Sequence, residues 1–276
     1  MTTTTINAHA GVGTGKPSPS IGFANLLRSE WTKLRSIRST YWTAGVAIFA
    51  GVVLGAIICA RTAYNINHGA DNATGLDATL LSLNGLYISQ VAIGALGVLT
   101  ISSEYSTGMI RATLAAVPQR RALLAAKGLV FGVATFIGGE IMSFAAFAVG
   151  QALLTPAHVG VSLDQSAVLR ATIGGGLYLT AVGLLGFGIG ALIRHTAGAL
   201  SAFFAVLFAL TGLTDLLPTH LRNQLINYMP ANAGSQIITV IHPRGVLAPW
   251  AGLGVLLLYA AAALITATVL ITHRDT

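Results

Sequence analysis

Six long runs of apolar residues, separated by short polar segments, are the main feature of the pattern along this chain. Each run holds the roughly 20 residues that an α-helix needs to cross about 30 Å of hydrocarbon. The pattern predicts an all-α polytopic membrane protein, with six transmembrane helices in one domain that covers 21–276. The approximate bounds of the runs are 41–60, 80–102, 128–154, 171–193, 196–217 and 250–272.

A segment directly before the first run, 21–38, repeats apolar residues at helical spacing and carries its charges mostly on other faces. That pattern is typical of an amphipathic helix lying in the membrane interface, and Trp31 suits such a position. A surface helix of a soluble protein would look similar, but the adjacent span favours the interface. Residues 1–20 are rich in Thr, Gly, Pro and Ser and lack an apolar core, so we expect a disordered tail rather than a signal peptide.

The composition agrees with this pattern, because 54% of the residues are hydrophobic and only 8% are charged. Soluble domains carry roughly 25% charged residues, since their surfaces face water. A net charge of +7 would also suit a nucleic-acid-binding protein. However, no basic run interleaved with aromatic residues is present. We therefore expect no nucleic-acid partner and interpret the Lys and Arg residues as membrane anchors.

The distribution of Lys and Arg predicts the orientation of the spans. If the N-terminus is cytoplasmic, eleven of the 15 basic residues lie on the cytoplasmic side, and only Arg61, Arg170, Arg222 and Arg244 lie outside. Cytoplasmic segments of membrane proteins carry the excess of basic residues. We therefore predict that both termini, including the tail 1–20, are cytoplasmic and that the lipid bilayer surrounds the spans.

The chain shows no catalytic or metal-binding motif. Its single cysteine, Cys59, excludes a disulfide framework and cysteine-based metal centres, and the seven histidines are not clustered. The segment GVGTGKPS differs from a phosphate-binding loop, because Ala10 and Pro17 replace the required Gly and Ser or Thr. Inside the spans no nucleophile–base pair is visible, which makes an intramembrane enzyme the weakest hypothesis. We predict no catalytic residue, no metal site and no cofactor bound by this chain.

The segment between the second and third runs, ISSEYSTGMIRATLAAVPQRRALLAAKG, combines charges with apolar residues at helical spacing. Met109, Ile110 and Leu114 can form one face of a short helix that ends near Pro118. An ordinary cytoplasmic loop would also be basic, but it rarely keeps an apolar face between its charges. A short helix that presents this face to a cytoplasmic partner explains both features.

The N-terminal helix contains SEWTKLRS, the loop after the second span reads EYSTGMIRATLAAVPQRR, and the last outer loop contains YMPANAG. These three segments resemble the permease subunits of bacterial ABC type-2 exporters. The resemblance covers about 21–276. It implies a multi-pass permease in the bacterial cell membrane that pairs with a second permease copy, here expected to be identical. It further implies two cytoplasmic ATPase subunits, which hold ATP and Mg²⁺, and short helices in the outer segment 218–249.

The same resemblance assigns an ATPase-coupling role to residues near the predicted cytoplasmic side. The loop after the second span would be the coupling helix, which carries ATPase movement into the membrane. The N-terminal helix would also touch the ATPase. The matching residues are Glu104, Gly108, Arg111, Pro118, Arg120, Glu30 and Lys33.

Polar and aromatic residues recur along one face of the second span and one face of the fifth. The resemblance implies that these two spans line a cavity between the permease copies, which makes the residues candidate substrate contacts. The competing interpretation is helix–helix packing through interhelical hydrogen bonds. The residues are Asn84, Tyr87, Gln90, Phe204, Phe208 and Thr211.

Glu140 lies near the middle of the third span, where an ionised carboxylate is unfavourable by a few kcal/mol unless it is paired or wet. It is either part of a substrate or proton path, or a neutral side chain bonded to a neighbouring helix. If an ion gradient acts through Glu140, the chain is a secondary transporter. That function requires internal repeats and helices that are interrupted near the membrane midplane. The sequence shows no clear repeat, and only Gly174–Gly176 could interrupt a span, the fourth. The leading hypothesis is an ABC export permease, whose substrate the sequence does not identify.

Overall fold

The computed structural model describes residues 22–36, 38–69, 74–109, 119–243 and 245–273. The predicted tail 1–20, and Arg111 and Pro118 of the predicted coupling helix, lie outside these residues. Within them the chain forms eleven α-helices joined by turns and short 3₁₀ and π-helical segments, and no strand occurs. The helices are α1 Phe23–Ser36, α2 Arg38–Asn67, α3 Ala78–Leu83, α4 Leu86–Ser106, α5 Arg120–Leu154, α6 Ser166–Ile193, α7 Thr196–Phe204, α8 Leu210–Thr214, α9 Thr219–Leu225, α10 Pro230–Ser235 and α11 Pro249–His273.

Six helical segments of the described residues are long and apolar enough to cross a membrane, which confirms the predicted all-α polytopic fold. The first and third are longer than the apolar runs in the sequence. Their polar turns continue the helix beyond the hydrocarbon, where apolar side chains are not required. The six segments are Thr40–Asn67, Leu86–Ser106, Arg120–Ala157, Ser166–Ile193, Thr196–Thr214 and Pro249–Ile271.

The second predicted span, 80–102, is divided in two at Asn84 and Gly85. The short helix α3 begins at the N-cap residue Asp77, whose carboxylate accepts a backbone hydrogen bond at 2.9 Å. At Gly85 the chain crosses α2 so closely that a Cβ atom there would lie 1.7 Å from the Gly51 carbonyl oxygen. Any side chain at this position would displace α2, and the turn at this crossing replaces the continuous helix.

Helix α6 forms the centre of the bundle and packs against α4, α5, α7 and α11. In its most apolar window 72% of the residues are buried, against 17% to 28% in the first, fifth and sixth spans. A Cβ atom on Gly97 of α4 would lie 2.2 Å from the Gly183 carbonyl oxygen, and one on Gly186 would lie 2.2 Å from that of Gly94. Lipid is as apolar as these side chains, so small residues stabilise the bundle by letting the backbones touch.

The fifth span is less regular than its apolar run, 196–217, predicts. A π-helical turn, Ala205–Ala209, joins α7 to α8, and the last residues of the run form turns after Thr214. Phe203 of α7 is fully buried, and its ring lies against Gly94 of α4. Such π-helical turns change the direction in which the following side chains point and are frequent at functional sites.

The segment 218–249 contains the short helices α9 and α10, as the sequence predicts. Two charged side chains fix its second half to the bundle. The Asp77 carboxylate accepts hydrogen bonds from the backbone N–H groups of Val240 and Ile241 at 2.6 and 3.0 Å. Arg170 of α6 donates to two carbonyl groups just before them, at 3.0 and 2.8 Å. Side chains of the bundle therefore satisfy four backbone groups of this irregular segment, which holds 237–241 against α3 and α6.

Candidate functional site

Helix α1 lies against the beginning of α5. Leu26 is 3% exposed and packs with the fully buried Ala126 of α5. Burial of a leucine side chain stabilises a contact of this kind by roughly 1.5–3 kcal/mol. Glu30 follows Leu26 by one helical turn and is also only 3% exposed. The N-terminal helix is therefore a packed part of the bundle at this end.

Four charged side chains from three helices meet beside this contact, and we call them the four-charge cluster: Glu30 and Lys33 of α1, Glu104 of α4 and Lys127 of α5. Lys127 Nζ lies 2.5 Å from Glu30 Oε2 and 2.6 Å from Glu104 Oε1. Lys33 Nζ lies 2.6 Å from Glu30 Oε1 and 3.9 Å from Glu104 Oε1. Two carboxylates and two ammonium groups balance, so the cluster is neutral as a whole.

Burial makes Lys127 the central member of the four-charge cluster. Its side chain is 6% exposed, and the two carboxylates beside it, Glu30 and Glu104, are 3% and 12% exposed. Removing one partner of a buried ion pair destabilises a protein by about 3–5 kcal/mol, because the other charge stays buried without compensation. Lys33 is 36% exposed, and exposed pairs contribute only about 1 kcal/mol or less.

The electrostatics of Glu30 follow from its neighbours. Burial by itself would raise the pKa of the Glu30 carboxyl. The Lys127 ammonium outweighs burial through its charge and its hydrogen bond, and Lys33 adds to this effect, so the pKa of Glu30 lies below its usual value. Glu30 is therefore ionised at neutral pH, and the ion pairs between α1 and α5 persist.

The four-charge cluster connects α1 with both ends of the segment between α4 and α5. Glu104 lies in the last turn of α4, and Lys127 lies two turns after the start of α5. A displacement of either end of the segment, or of α1, therefore acts on the same ion pairs. Such an arrangement can transmit movement from one end of the bundle to three helices at once.

A cavity of about 580 Å³ lies beside the four-charge cluster, between α1, α2, α4 and α5. Its wall combines hydroxyl groups with apolar side chains. All four members of the four-charge cluster belong to the lining of this cavity. The hydroxyl-bearing lining residues are Ser36, Thr40, Thr43, Thr100, Ser103 and Thr107.

Three of the predicted coupling residues, Glu30, Lys33 and Glu104, come together in the four-charge cluster. Lys127, which holds the central position, was not among the predicted coupling residues. Its local sequence, LLAAKGLV, contains the signal, because a lysine inside an apolar helical run needs a buried partner. The identity of that partner depends on which helices pack together.

The other predicted coupling residues lie apart from the cluster or outside the described part of the chain. Arg120 Nη1 donates to the Ile271 carbonyl oxygen of α11 at 3.4 Å. Gly108 has a φ of 71° and follows the end of α4, a position where the left-handed backbone favours glycine. Arg111 and Pro118 fall in the segment that the structure does not describe, so their coupling role stays a prediction.

Two of the three predicted substrate contacts of the second span, Gln90 and Tyr87, bond to other helices of the same chain. Gln90 is 2% exposed and accepts a hydrogen bond from the Tyr178 hydroxyl of α6. Tyr87 is hydrogen-bonded to Ser235 of α10, and Asn84 lies in the turn before α4. Interhelical hydrogen bonds of this kind stabilise helix packing in membranes. A contact of these residues with substrate stays a prediction.

The predicted contacts of the fifth span are more accessible. The rings of Phe204 and Phe208 stack at 6.3 Å between centroids, and Phe208 is 44% exposed. The Thr211 hydroxyl oxygen is buried and has no hydrogen-bond partner among the described residues. The fifth span thus presents the Phe208 ring at the surface of the bundle, whereas Gln90 and Tyr87 of the second span bond inside it.

Glu140 lies in the middle of α5, against α6. A Cβ atom on Gly176 would lie 2.4 Å from Glu140 Oε1, so the glycine makes room for the carboxyl group. Both carboxyl oxygens are buried, and no described residue donates a hydrogen bond to either of them. Among the described residues, therefore, Glu140 forms neither an ion pair nor the hydrogen bond to a neighbouring helix that was one of its two predicted roles.

Comparisons with known proteins do not assign this chain to a family. Among the described residues, no group of three or more His, Cys, Asp or Glu side chains is arranged to hold a metal ion. A scan against models of known protein families gave no match, and a search of curated proteins found no similar protein. A function for this multi-pass membrane protein is therefore inferred from its residues and geometry.

Proposed function

We propose that this chain is the transmembrane permease subunit of an ABC-type exporter, driven by a separate cytoplasmic ATPase. The observation that carries the proposal is the four-charge cluster, which joins α1 to both ends of the segment between α4 and α5. In this proposal, α1 and that segment form the surface on which the ATPase docks. The chain supplies the translocation path, and ATP and Mg²⁺ bind to the partner subunit.

The packing around α1 supports the proposed transmission of movement. Leu26 anchors α1 on α5, and Lys127 bonds α1 and α4 simultaneously. When ATP binding closes two ATPase subunits, a push on the docking surface would reach α1, α4 and α5 together. The adjacent cavity of about 580 Å³ gives these helices room to respond.

The distribution of basic residues supports the proposed orientation, in which the face with the four-charge cluster is cytoplasmic. Arg194, at the end of α6, lies 5.1 Å from the ring centroid of Tyr105, the neighbour of Glu104. Arg120 contacts the last turns of α11. Basic residues thus gather at this end of the bundle, as they do on the cytoplasmic side of bacterial membrane proteins.

A second copy of the chain completes the proposed transporter. The first and fifth spans have only 22% and 17% of their apolar windows buried, which leaves large surfaces for lipid or for the other permease. In the fifth span the exposed Phe208 stacks on the half-buried Phe204, and the face that carries Phe208 would line the path. Each permease copy would bind one ATPase subunit.

Reconstitution with an ATPase tests the proposal. The chain is expressed with the ABC-type ATPase encoded nearest to it in its genome, purified and placed in nanodiscs. We expect no ATP hydrolysis by the chain alone, a stable complex with the ATPase, and weaker association in a K127M variant. Robust ATP hydrolysis by the purified chain, or failure of the two proteins to associate, would contradict the proposal.

A secondary transporter driven by an ion gradient is the second candidate function. The observation in its favour is Glu140, whose carboxyl group has no hydrogen-bond donor among the described residues. Proteoliposomes with an imposed proton gradient and no nucleotide separate the two functions. Proton flux that an E140Q variant abolishes would favour the secondary transporter, and the absence of such flux would remove it.

A further inference from the structure

One side of α1 is turned away from the bundle and carries a tryptophan between two arginines. Arg28, Trp31 and Arg35 follow one another at intervals of three and four residues, the spacing that places side chains on one face of a helix. All three are exposed, Trp31 by 40%. Leu26 and Glu30, which hold α1 against α5, lie on the opposite side of the helix. We call the exposed side, formed by Arg28, Trp31 and Arg35, the Arg–Trp face.

The two arginines of the Arg–Trp face form no ion pair with any described residue. Glu30 and Glu104 are the acidic side chains at this end of the described bundle, and both are bonded to Lys127. The four-charge cluster is neutral as a whole, so it does not compensate the charges of Arg28 and Arg35. The described residues thus leave a positive face whose counter-charge comes from its surroundings.

The Arg–Trp face lies close to the level at which the first span enters the membrane. Helix α1 ends at Ser36, and the span begins at Thr40, only four residues later. Tyr41 and Trp42, in the first turn of that span, are 51% and 75% exposed. Exposed tyrosine and tryptophan rings at the end of a span are typical of the headgroup region of a membrane, and Trp31 adds a third such ring. Lipid headgroups are therefore the lateral neighbours of this face.

The chemistry of the two arginines selects the type of headgroup. A guanidinium group donates two parallel hydrogen bonds to a phosphate, which makes arginine a specific phosphate-binding side chain. At a rise of 1.5 Å per residue, Arg28 and Arg35 lie about 10 Å apart along the helix, so each can bind the phosphate of a different lipid. A zwitterionic headgroup brings its own ammonium group, which cancels the phosphate charge. An anionic headgroup brings an uncompensated phosphate, which is attracted to basic residues at the membrane surface.

We infer that the Arg–Trp face of α1 binds anionic phospholipids, with lipid phosphates on Arg28 and Arg35 and the Trp31 ring among the headgroups. Bound lipid then fixes the exposed side of α1, while the four-charge cluster fixes its buried side. An acidic surface of the ATPase is the competing partner for these arginines, and the position of the face beside the first span favours lipid. The inference goes beyond the proposed transport function and does not depend on the ATPase.

Quenching of Trp31 fluorescence by brominated lipids tests the inference, because bromine on an acyl chain quenches only the tryptophans in its immediate neighbourhood. In the W42F/W250F variant, Trp31 is the remaining tryptophan of the chain. This variant is reconstituted in phosphatidylcholine vesicles that contain a minor share of brominated lipid, either phosphatidylglycerol or phosphatidylcholine. At the same mole fraction, we expect brominated phosphatidylglycerol to quench Trp31 at least twice as strongly as brominated phosphatidylcholine.

Further substitutions in the same background show whether the arginines cause the preference. R28Q/R35Q removes both charges, so the two brominated lipids should quench Trp31 equally. R28K/R35K keeps the charges and should retain a reduced preference, because lysine binds phosphate as a point charge and not through a planar fork. R61Q is the matched control and should keep the full preference, since Arg61 is also exposed but lies near the other end of α2.

Equal quenching by the two brominated lipids with both arginines present would overturn the inference, and so would a preference that persists in R28Q/R35Q. If R28Q/R35Q loses association with the ATPase but keeps its lipid preference, the face belongs to the ATPase. Should the tryptophan substitutions prevent folding, mass spectrometry can count the lipids that the unaltered protein and R28Q/R35Q each retain from mixed vesicles. Equal retention of anionic lipid by these two proteins would also overturn the inference. The ATPase is absent from the lipid measurements, so their failure leaves the docking proposal standing.

Discussion

The Lys127 ammonium group of α5 and the Glu30 carboxylate of α1 lie 2.5 Å apart, although 97 residues separate them in the chain. Both side chains are almost completely buried, at 6% and 3% exposed. The first two spans lie between them in sequence, so the contact forms only after the chain has crossed the bundle and returned to the same end. The pair therefore joins the N-terminal helix to the transmembrane core.

Neutralising Lys127 should release α1 from the bundle. In K127M the Glu30 carboxylate stays buried but loses its main partner. Loss of one partner of a buried ion pair destabilises a protein by about 3–5 kcal/mol. Thermal unfolding of the purified protein and the rate of protease cleavage within α1 measure the effect. The double variant E30Q/K127M should be more stable than K127M, because it no longer buries an uncompensated Glu30 charge.

An exposed ion pair of the same chain supplies the matched control. Arg222 Nε and Asp215 Oδ1 lie 2.8 Å apart, with side chains 43% and 61% exposed. Exposed pairs contribute about 1 kcal/mol or less, so R222M should change the stability little. Equal destabilisation by K127M and R222M would show that burial does not strengthen the Glu30–Lys127 contact.

The attachment of α1 should depend on pH. Burial raises the pKa of Glu30, but Lys127 outweighs it, so the folded-state pKa lies below the usual value. A group of this kind stabilises fully above its unfolded pKa of about 4.3, and the stabilisation is lost as the pH falls through the lower folded value. Docking of α1 should therefore be constant from neutral pH down to about pH 5 and weaken below about pH 4.

Tryptophan fluorescence can follow this acid transition. Trp31 lies in α1 and is 40% exposed, and the chain has two other tryptophans, Trp42 and Trp250. In a W42F/W250F background, emission from Trp31 should change as the pH falls below about 4. The E30Q variant should lack this transition, and a transition of the same size and midpoint in E30Q would rule out Glu30 as its source.

The glycine contacts at the centre of the bundle should tolerate no methyl group. A Cβ atom on Gly186 would lie 2.2 Å from the Gly94 carbonyl oxygen, so α4 and α6 must separate in G186A. Overpacking of this kind destabilises by about 1–3 kcal/mol. G45A in α2 is the control, because a Cβ atom there meets no atom within 4 Å and alanine favours helix over glycine by about 1 kcal/mol. Thermal unfolding in one detergent should show a loss for G186A only.

Charge reversal at Glu104 should separate ATP hydrolysis from transport. In E104K a third ammonium group faces Lys127 and Lys33, and repulsion opens the connection between α1 and the end of α4. The apolar run of α4 is unchanged, so membrane insertion should persist. In the complex with the ATPase, we expect ATP hydrolysis to continue while export of the transported substrate is lost. D215K, a charge reversal at an exposed residue, is the control. An unchanged number of substrate molecules exported per ATP in E104K would contradict the proposed coupling.

The number and type of the long helices follow from the sequence, but their interruptions do not. The run 80–102 reads as one helix because its residues are apolar throughout. The break at Asn84–Gly85 arises because Gly85 touches Gly51, a residue of another helix. The π-helical turn Ala205–Ala209 likewise has no local sequence signal, since its residues, AVLFA, are ordinary for a transmembrane helix. Both features depend on neighbours in space.

The four-charge cluster was predictable in part. The resemblance to exporter permeases pointed to Glu30, Lys33 and Glu104, and the structure brings these three residues together. Lys127 was missed, because a lysine at the start of a span reads as a membrane anchor unless its buried partner is known. Arg120 was also predicted as a coupling residue of this loop. In the structure its side chain donates to a carbonyl group in the last turns of α11.

The sequence by itself determined that this chain has six apolar helices, because the preference of a 20-residue segment for hydrocarbon depends only on the residues of that segment. Only the tertiary structure decided that Glu30 and Lys127 pair and that Glu140 has no described partner. The energy of a buried charge depends on which side chains of other helices face it. That information arises when the helices pack, and no local pattern contains it.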